Sequence, residues 1–156
     1  MPPRTALSPT LDSLKDLTRL VQTSEGFHPV VAALQNGHGA TVDGAWGSSA
    51  ALAAAALAVQ APSTLLVVIA HPRDADPWAS DLASFSGIRP VLFPAWDTLP
   101  EDRAEVDETG GQRLRVLKQL ESDEPPRLVL ATFQALLQPV PDRAQLTSNR
   151  RVLRAG

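Results

Sequence analysis

Few residues in this sequence have the types and spacing to do chemistry. The stretch Val42-Asp43-Gly44-Ala45-Trp46-Gly47-Ser48-Ser49-Ala50-Ala51-Leu52 sets two glycines and two serines ahead of an alanine-rich run. In α/β proteins a glycine-rich turn between a strand and a helix is where phosphate is held, because backbone N–H groups and the positive helix end point at the anion. The active form of that loop reads G-x-x-x-x-G-K-[ST]. With Gly44 at its first glycine, Ser49 takes the second, Ala50 takes the lysine and Ala51 takes the hydroxyl residue. Without lysine nothing balances the β- and γ-phosphate charge, and without the hydroxyl a magnesium ion loses its protein ligand. The electrostatic driving term for phosphoryl transfer is missing. Gly44, Gly47, Ser48, Ser49, Ala50 and Ala51 therefore form either a vestigial phosphate loop or a plain structural turn, and no catalytic residue is expected. Asp43 fits a turn-capping role better than a metal-bridging one. Trp46 either fills the space a nucleotide would take or covers the end of the sheet.

The other chemical candidates are weaker. Glu101, Asp102, Glu105, Asp107 and Glu108 make an acidic run broken by Arg103, and acid/base catalysis would need a pair held in a cleft. A solvated face is expected instead. His28, His38 and His71 lie far apart, without acidic partners at ligand spacing, so no metal site is expected. Arg143, Arg150, Arg151 and Arg154 give a basic tail that could meet phosphate or other protein domains. With no cysteine, disulfides, thiolate metal sites and a cysteine nucleophile are excluded. A net charge of −3 and 4% aromatics with no tyrosine argue against a nucleic-acid grip or a base-stacking platform. The N-terminus lacks a signal-peptide core. The longest apolar stretch, Ala50 to Val59, falls well short of the ~20 residues of a membrane span. A cytoplasmic protein with no membrane contact is expected.

These residues need elements to position them. Ser8-Pro9 can start a helix carrying Leu11, Leu14, Leu17 and Val21 on one face. A second short helix spans Pro29 to Leu34, and Ala40-Thr41-Val42 is a candidate strand. Ala50 to Gln60 is a strong helix former. Leu65 to Ile69 is continuously apolar, as a strand buried on both faces would be. Asp76-Pro77 starts a helix with Trp78, Leu82 and Phe85 on one face. Val91 to Phe93 is a strand, Pro94 to Asp107 a loop, and Arg113 to Leu120 a helix with Leu114, Leu117 and Leu120 aligned. Leu128 to Ala131 is a further strand, and Thr132 caps a short helix ending before Pro139. Alternating strands and helices predict an α/β fold, a parallel sheet with helical crossovers. The 14 prolines, about 9% against a usual ~5%, mark the seams between these elements. A possible strand, Arg151-Val152-Leu153, ends near the last residue, which suggests a fragment.

Gly44-x-x-Gly47-Ser48, Leu65 to Ile69, Asp81-Leu82, Phe93-Pro94-Ala95-Trp96-Asp97-Thr98-Leu99-Pro100, Gln112-Arg113-Leu114-x-x-Leu117 and Ala135-Leu136-Leu137-Gln138-x-x-Pro141 together resemble the N-terminal region of the bacterial transcription-repair coupling factors (Mfd). That region is in turn similar to the excision-repair protein UvrB. The F-P-x-W-[DE]-T-L-P string with R-L-x-x-L and A-L-x-Q is the specific part; superfamily 2 helicases share the sheet but not the string. The resemblance runs from about Val42 to Pro141. It implies a RecA-like (P-loop NTPase/helicase-like) partial domain at 38–141, preceded by a helical segment at 1–37 and followed at 142–156 by the start of an inserted second domain. The family's UvrB-like module has lost the catalytic phosphate loop, which Ala50 and Ala51 match. The implied role is non-catalytic: helping to recruit UvrA to stalled RNA polymerase in nucleotide excision repair, and contributing to autoinhibition through contacts with other domains. ATP and magnesium belong to motor domains of the parent, which the resemblance implies is an ATP-dependent DNA translocase. For this segment no cofactor and no direct nucleic-acid contact are implied. Phe93, Pro94, Trp96, Asp97, Thr98, Leu99, Pro100, Arg113, Leu114 and Gln138 are the motif residues carried over. The alternatives are an ATP-binding helicase or UvrB-type domain, which Ala50-Ala51 opposes, and a scaffold with no repair role.

Overall fold

The computed structural model describes residues 12–96 and 108–144. Those residues form two compact units, one of 12–62 and 77–89, the other of 63–76, 90–96 and 108–144.

The first unit is helical. α1 (Lys15–Gln22) is set by Asp16. Its carboxylate reaches back to accept from the N–H of Ser13 (2.9 Å) and of Asp12 (3.1 Å), the reciprocal half of a capping box. The start proposed at Ser8-Pro9 lies outside the described residues. α2 (Phe27–Gln35) follows a tight turn at Glu25-Gly26, and Gly37 ends it with φ 73°. α3 (Ser48–Gln60) packs on α1 and buries Ala51, Ala55, Ala56 and Ala58 completely. Side chains this small allow the close helix approach that lets Gln22 Nε2 donate to the Ala56 carbonyl at 3.1 Å. α4 (Ala75–Ser86) buries Leu82 and Phe85. The Phe85 carbonyl accepts from the buried Thr18 hydroxyl of α1. Gly87, at φ 73°, then turns the chain. Asp76 lies inside the first turn of α4 rather than at its cap, because a 3-10 turn at Pro72–Asp74 begins the helical path earlier.

The second unit holds a parallel sheet. β1 (Leu65–Ile69), β2 (Val91–Phe93) and β3 (Leu128–Thr132) are ordered β1-β3-β2. Leu65 pairs with Leu128, and Val91 with Val129. α5 (Glu108–Leu120) covers β2, and α6 (Phe133–Leu137) follows β3 directly. Thr132 caps α6 as expected, its hydroxyl accepting from the Ala135 N–H at 3.1 Å. The core gathers Phe93, Val116, Val129, Ala131 and Ala135.

Three expectations change. Ala40-Thr41-Val42 is not a strand; it is exposed and pairs with no ladder, so its β-branched residues have no sheet to join. Among the described strands, only β3 is buried on both faces. β1 has a single neighbour and alternates, with Leu66 and Val68 47% and 44% exposed. An apolar run does not by itself distinguish a central from an edge strand. Lastly, α5 buries Gly110, Arg113 and Val116, whereas Leu114 and Leu120 are exposed. α5 also begins at Glu108, a turn and a half ahead of the expected start.

Candidate functional site

The glycine loop is organised by its own groups. Gly44 (φ 76°) and Gly47 (φ 50°) take backbone conformations that side chains other than glycine's rarely adopt. Asp43 Oδ1 accepts from the Gly44 N–H at 2.9 Å, the turn-capping role expected of it. Ser49 Oγ bridges Trp46 twice, accepting from its N–H (2.9 Å) and donating to its carbonyl (2.8 Å). At the start of α3 the N–H of Ser49 bonds the Trp46 carbonyl, and those of Ala50 and Ala51 bond the Gly47 carbonyl. Four of the loop's N–H donors, at positions 46, 49, 50 and 51, are thus engaged within the loop. Among the described residues no strand precedes the loop, and Ala51 is fully buried with its methyl in the helix core. Trp46 is 81% exposed. Its ring therefore does not fill a nucleotide space, which corrects that expectation.

Phe93, Pro94, Trp96 and Gln138 of the motif meet in the second unit around one buried cation, Arg113. Arg113 sits on the inner face of α5 at 2% exposure. Its guanidinium lies between two rings, 4.3 Å from the centroids of Phe93 and Trp96. Nη1 donates to the Pro94 carbonyl (2.7 Å) and to that of Ala135 (3.2 Å). Nη2 donates to Ala135 (3.2 Å) and Pro139 (3.3 Å). Gln138 completes the arrangement. Its Oε1 accepts from the Trp96 N–H (2.7 Å) and its Nε2 donates to the Trp96 carbonyl (2.8 Å). A planar fork with five donors, stacked between aromatics, suits arginine and not lysine. The cluster ties the segment after β2 to the segment after α6. It aims the guanidinium at main-chain carbonyls, so its chemistry is positional.

Trp96 is thus half-buried, held by Gln138 and against the Arg113 guanidinium. Leu114 points outward and lines an apolar groove of about 480 Å³ with Leu117, Val140 and Trp96. Asp97, Thr98, Leu99 and Pro100, and the acidic residues 101–107, lie outside the described residues, as do Arg150, Arg151 and Arg154. Arg143 of the basic tail meets Glu121 at 3.0 Å. The role of Arg113 was legible only as a family motif. Its i, i+3 spacing from Val116 on the buried stripe was the sequence signal available.

A crevice of about 210 Å³ lies where β1, β2 and β3 end, at Ile69, Phe93 and Thr132. In open α/β sheets ligands bind outside the carboxyl ends of the strands. Among the described residues its polar side chains are Thr132 and Gln134, and no charged side chain lines it. The described residues contain no group of three or more histidines and acids placed to hold a metal ion. No helix among them is long and apolar enough to cross a membrane.

The fold and these sites define an α/β protein with a three-stranded parallel sheet, a glycine loop carrying internal hydrogen bonds and a buried arginine–aromatic cluster. Over 100 residues the chain is 38% identical to the transcription-repair-coupling factor of Mycobacterium bovis, and equally to that of Mycobacterium tuberculosis. The matched stretch is 60% of this chain and 8% of each relative, so the chain spans a small part of the proteins it is similar to. No family model matches the chain.

Proposed function

We propose that this chain is a non-catalytic part of the UvrB-like, partly RecA-like region of a transcription-repair coupling factor. The observation that carries this is the 38% identity over 100 residues to two such factors. Two structural features support it. The glycine loop lacks lysine and hydroxyl at Ala50 and Ala51 and bonds its own donors. The described part of the motif resembling that family is built around Arg113 as a packing centre. In this role the segment helps a larger parent, itself an ATP-driven DNA translocase, to bring UvrA to a stalled RNA polymerase in nucleotide excision repair. It also contributes to autoinhibition by packing against other domains of that parent.

The test is calorimetric titration of the chain with Mg-ATP. No binding tighter than ~1 mM is expected, equivalent to less than about 4 kcal/mol. Micromolar affinity or measurable hydrolysis would favour a UvrB-type ATP-binding domain. A chain extended through the following domain should capture UvrA, and failure of that longer chain to do so counts against the repair role.

A further inference from the structure

Among the described residues, the sheet of the second unit is left uncovered beside β1. There β1 pairs with β3 alone. Leu65 donates its N–H to the Arg127 carbonyl at 2.9 Å, so the main-chain groups of Leu65, Val67 and Ile69 point toward β3. Main-chain groups alternate in direction along a strand, so the N–H and C=O of Leu66 and Val68 point away from β3, into the open edge. The same two residues carry uncovered side chains. Leu66 and Val68 are about half exposed, whereas Val67 and Ile69, on the opposite face, are buried. In register, Leu66 lies beside Val129 and Val68 beside Ala131. Val129 and Ala131 belong to the core with Val116 of α5 and Ala135 of α6. The helical layer on that face thus covers β2 and β3 and leaves β1 bare, although parallel sheets occur almost only with both faces covered.

The direction of the chain selects what covers it. The crossover from β2 through α5 to β3 carries the chain toward β1, over the face of Val129 and Ala131. Crossovers between parallel strands of one sheet share a single hand. A further step in the same direction, from β3 past β1, therefore runs over that same face. α6 leaves β3 on that face, with Ala135 in the core. We propose that β1 is an internal strand of the longer protein. Its open edge takes a parallel strand that lies C-terminal to α6, and the intervening crossover packs on Leu66 and Val68. The strand that fits has five residues, the length of β1, and the crossover is a helix with one apolar face. A second copy fits less well. A two-fold axis would set two β1 edges antiparallel and would bring no crossover over Leu66 and Val68. This inference rests on the reading of the chain as part of a longer coupling factor.

Amide hydrogen exchange of the longer protein, read to single residues by mass spectrometry, tests it. The N–H groups of Leu66 and Val68 should exchange as slowly as those of Val67 and Ile69. They should also exchange at least ~100-fold more slowly than in the 156-residue chain, where an open edge leaves them without ladder partners. A photoreactive side chain, introduced as Leu66→p-benzoylphenylalanine, should cross-link to a segment beyond Leu137 of the same molecule. Fast exchange at Leu66 and Val68 in the longer protein overturns the proposal. So does a cross-link to a segment ahead of β1, or to a second copy. Capture of UvrA by the same longer protein separates the two readings. Capture with fast exchange sinks this inference alone, and slow exchange without capture sinks the repair role alone.

Discussion

Replacing Arg113 tests whether the motif cluster is the centre of the second unit. The guanidinium serves the carbonyls of Pro94, Ala135 and Pro139 and stacks between Phe93 and Trp96. Arg113→Ala leaves those buried carbonyls short of donors, at about 1–3 kcal/mol for each that water does not reach. It also removes two ring contacts of ~0.5–2 kcal/mol each and opens a cavity. Relaxation and water entry recover part of this, so a net loss of about 4 kcal/mol is expected, a large share of the 5–15 kcal/mol typical of whole domains. Arg113→Lys keeps the charge but loses the planar fork and the stacking, and should cost about 2 kcal/mol. Urea unfolding followed by tryptophan emission and circular dichroism measures both. The alanine loss approaches the whole stability of a small domain, so lysine carries the quantitative comparison. A cycle pairing Arg113→Lys with Gln138→Leu should show a coupling of at least ~0.5 kcal/mol, since both hold the segment at Trp96. If Arg113→Lys falls within ~0.5 kcal/mol of the parent, as an ordinary surface change does, the cluster does not hold the unit together.

Two further outcomes are expected. Gly47→Ala should lower stability by ~1–3 kcal/mol in urea unfolding, from backbone strain alone, because φ is 50° while the added Cβ meets no atom within 4 Å. Gly39→Ala, also in open space but without that φ, is the neutral control, and equal effects at the two sites would remove the strain argument. The Ser13 N–H bond, ahead of the Ser13 hydroxyl, the Asp12 N–H and Arg19, holds the Asp16 carboxyl below its ordinary 3.8 against a smaller opposing effect of desolvation. A depressed folded value means the contribution is full above about 3.8 and fades as pH falls through the lower folded value. Asp16→Asn should flatten that acid limb in a pH series of unfolding midpoints, and an unchanged limb would contradict the capping geometry.

The sheet strands β1 and β2 and the helices α2, α3 and α6 were legible because apolar runs, alanine content, glycine stops and the Thr132 cap act over a few residues. What was misjudged depends on distant partners. Whether Leu66 and Val68 are covered depends on strand order, which local pattern does not contain. The Ala40–Val42 segment has strand-forming residues but no ladder to pair with. Arg113 looks like an exposed helix residue, and its acceptors at Pro94, Ala135 and Pro139 come from two other parts of the chain. That Ala50 and Ala51 stand where a phosphate loop carries lysine and a hydroxyl residue was readable directly, since it turns on residue identity. That Trp46 would stand in solvent was not, because exposure is set by what fails to pack on it.

Sheet order has a consequence for how the chain forms on the ribosome. β3, the last of the three strands to be synthesised, lies at the centre and is the sole described partner of both others. β1 must wait for a segment roughly sixty residues downstream, a closure whose entropic cost grows only slowly with length but which slows folding. Until Leu128–Thr132 leaves the exit tunnel, Leu65–Ile69 is an apolar segment with no strand to pair with. Translational pausing within that interval should lengthen its exposure to chaperones and to misassociation, while pausing after α6 should not.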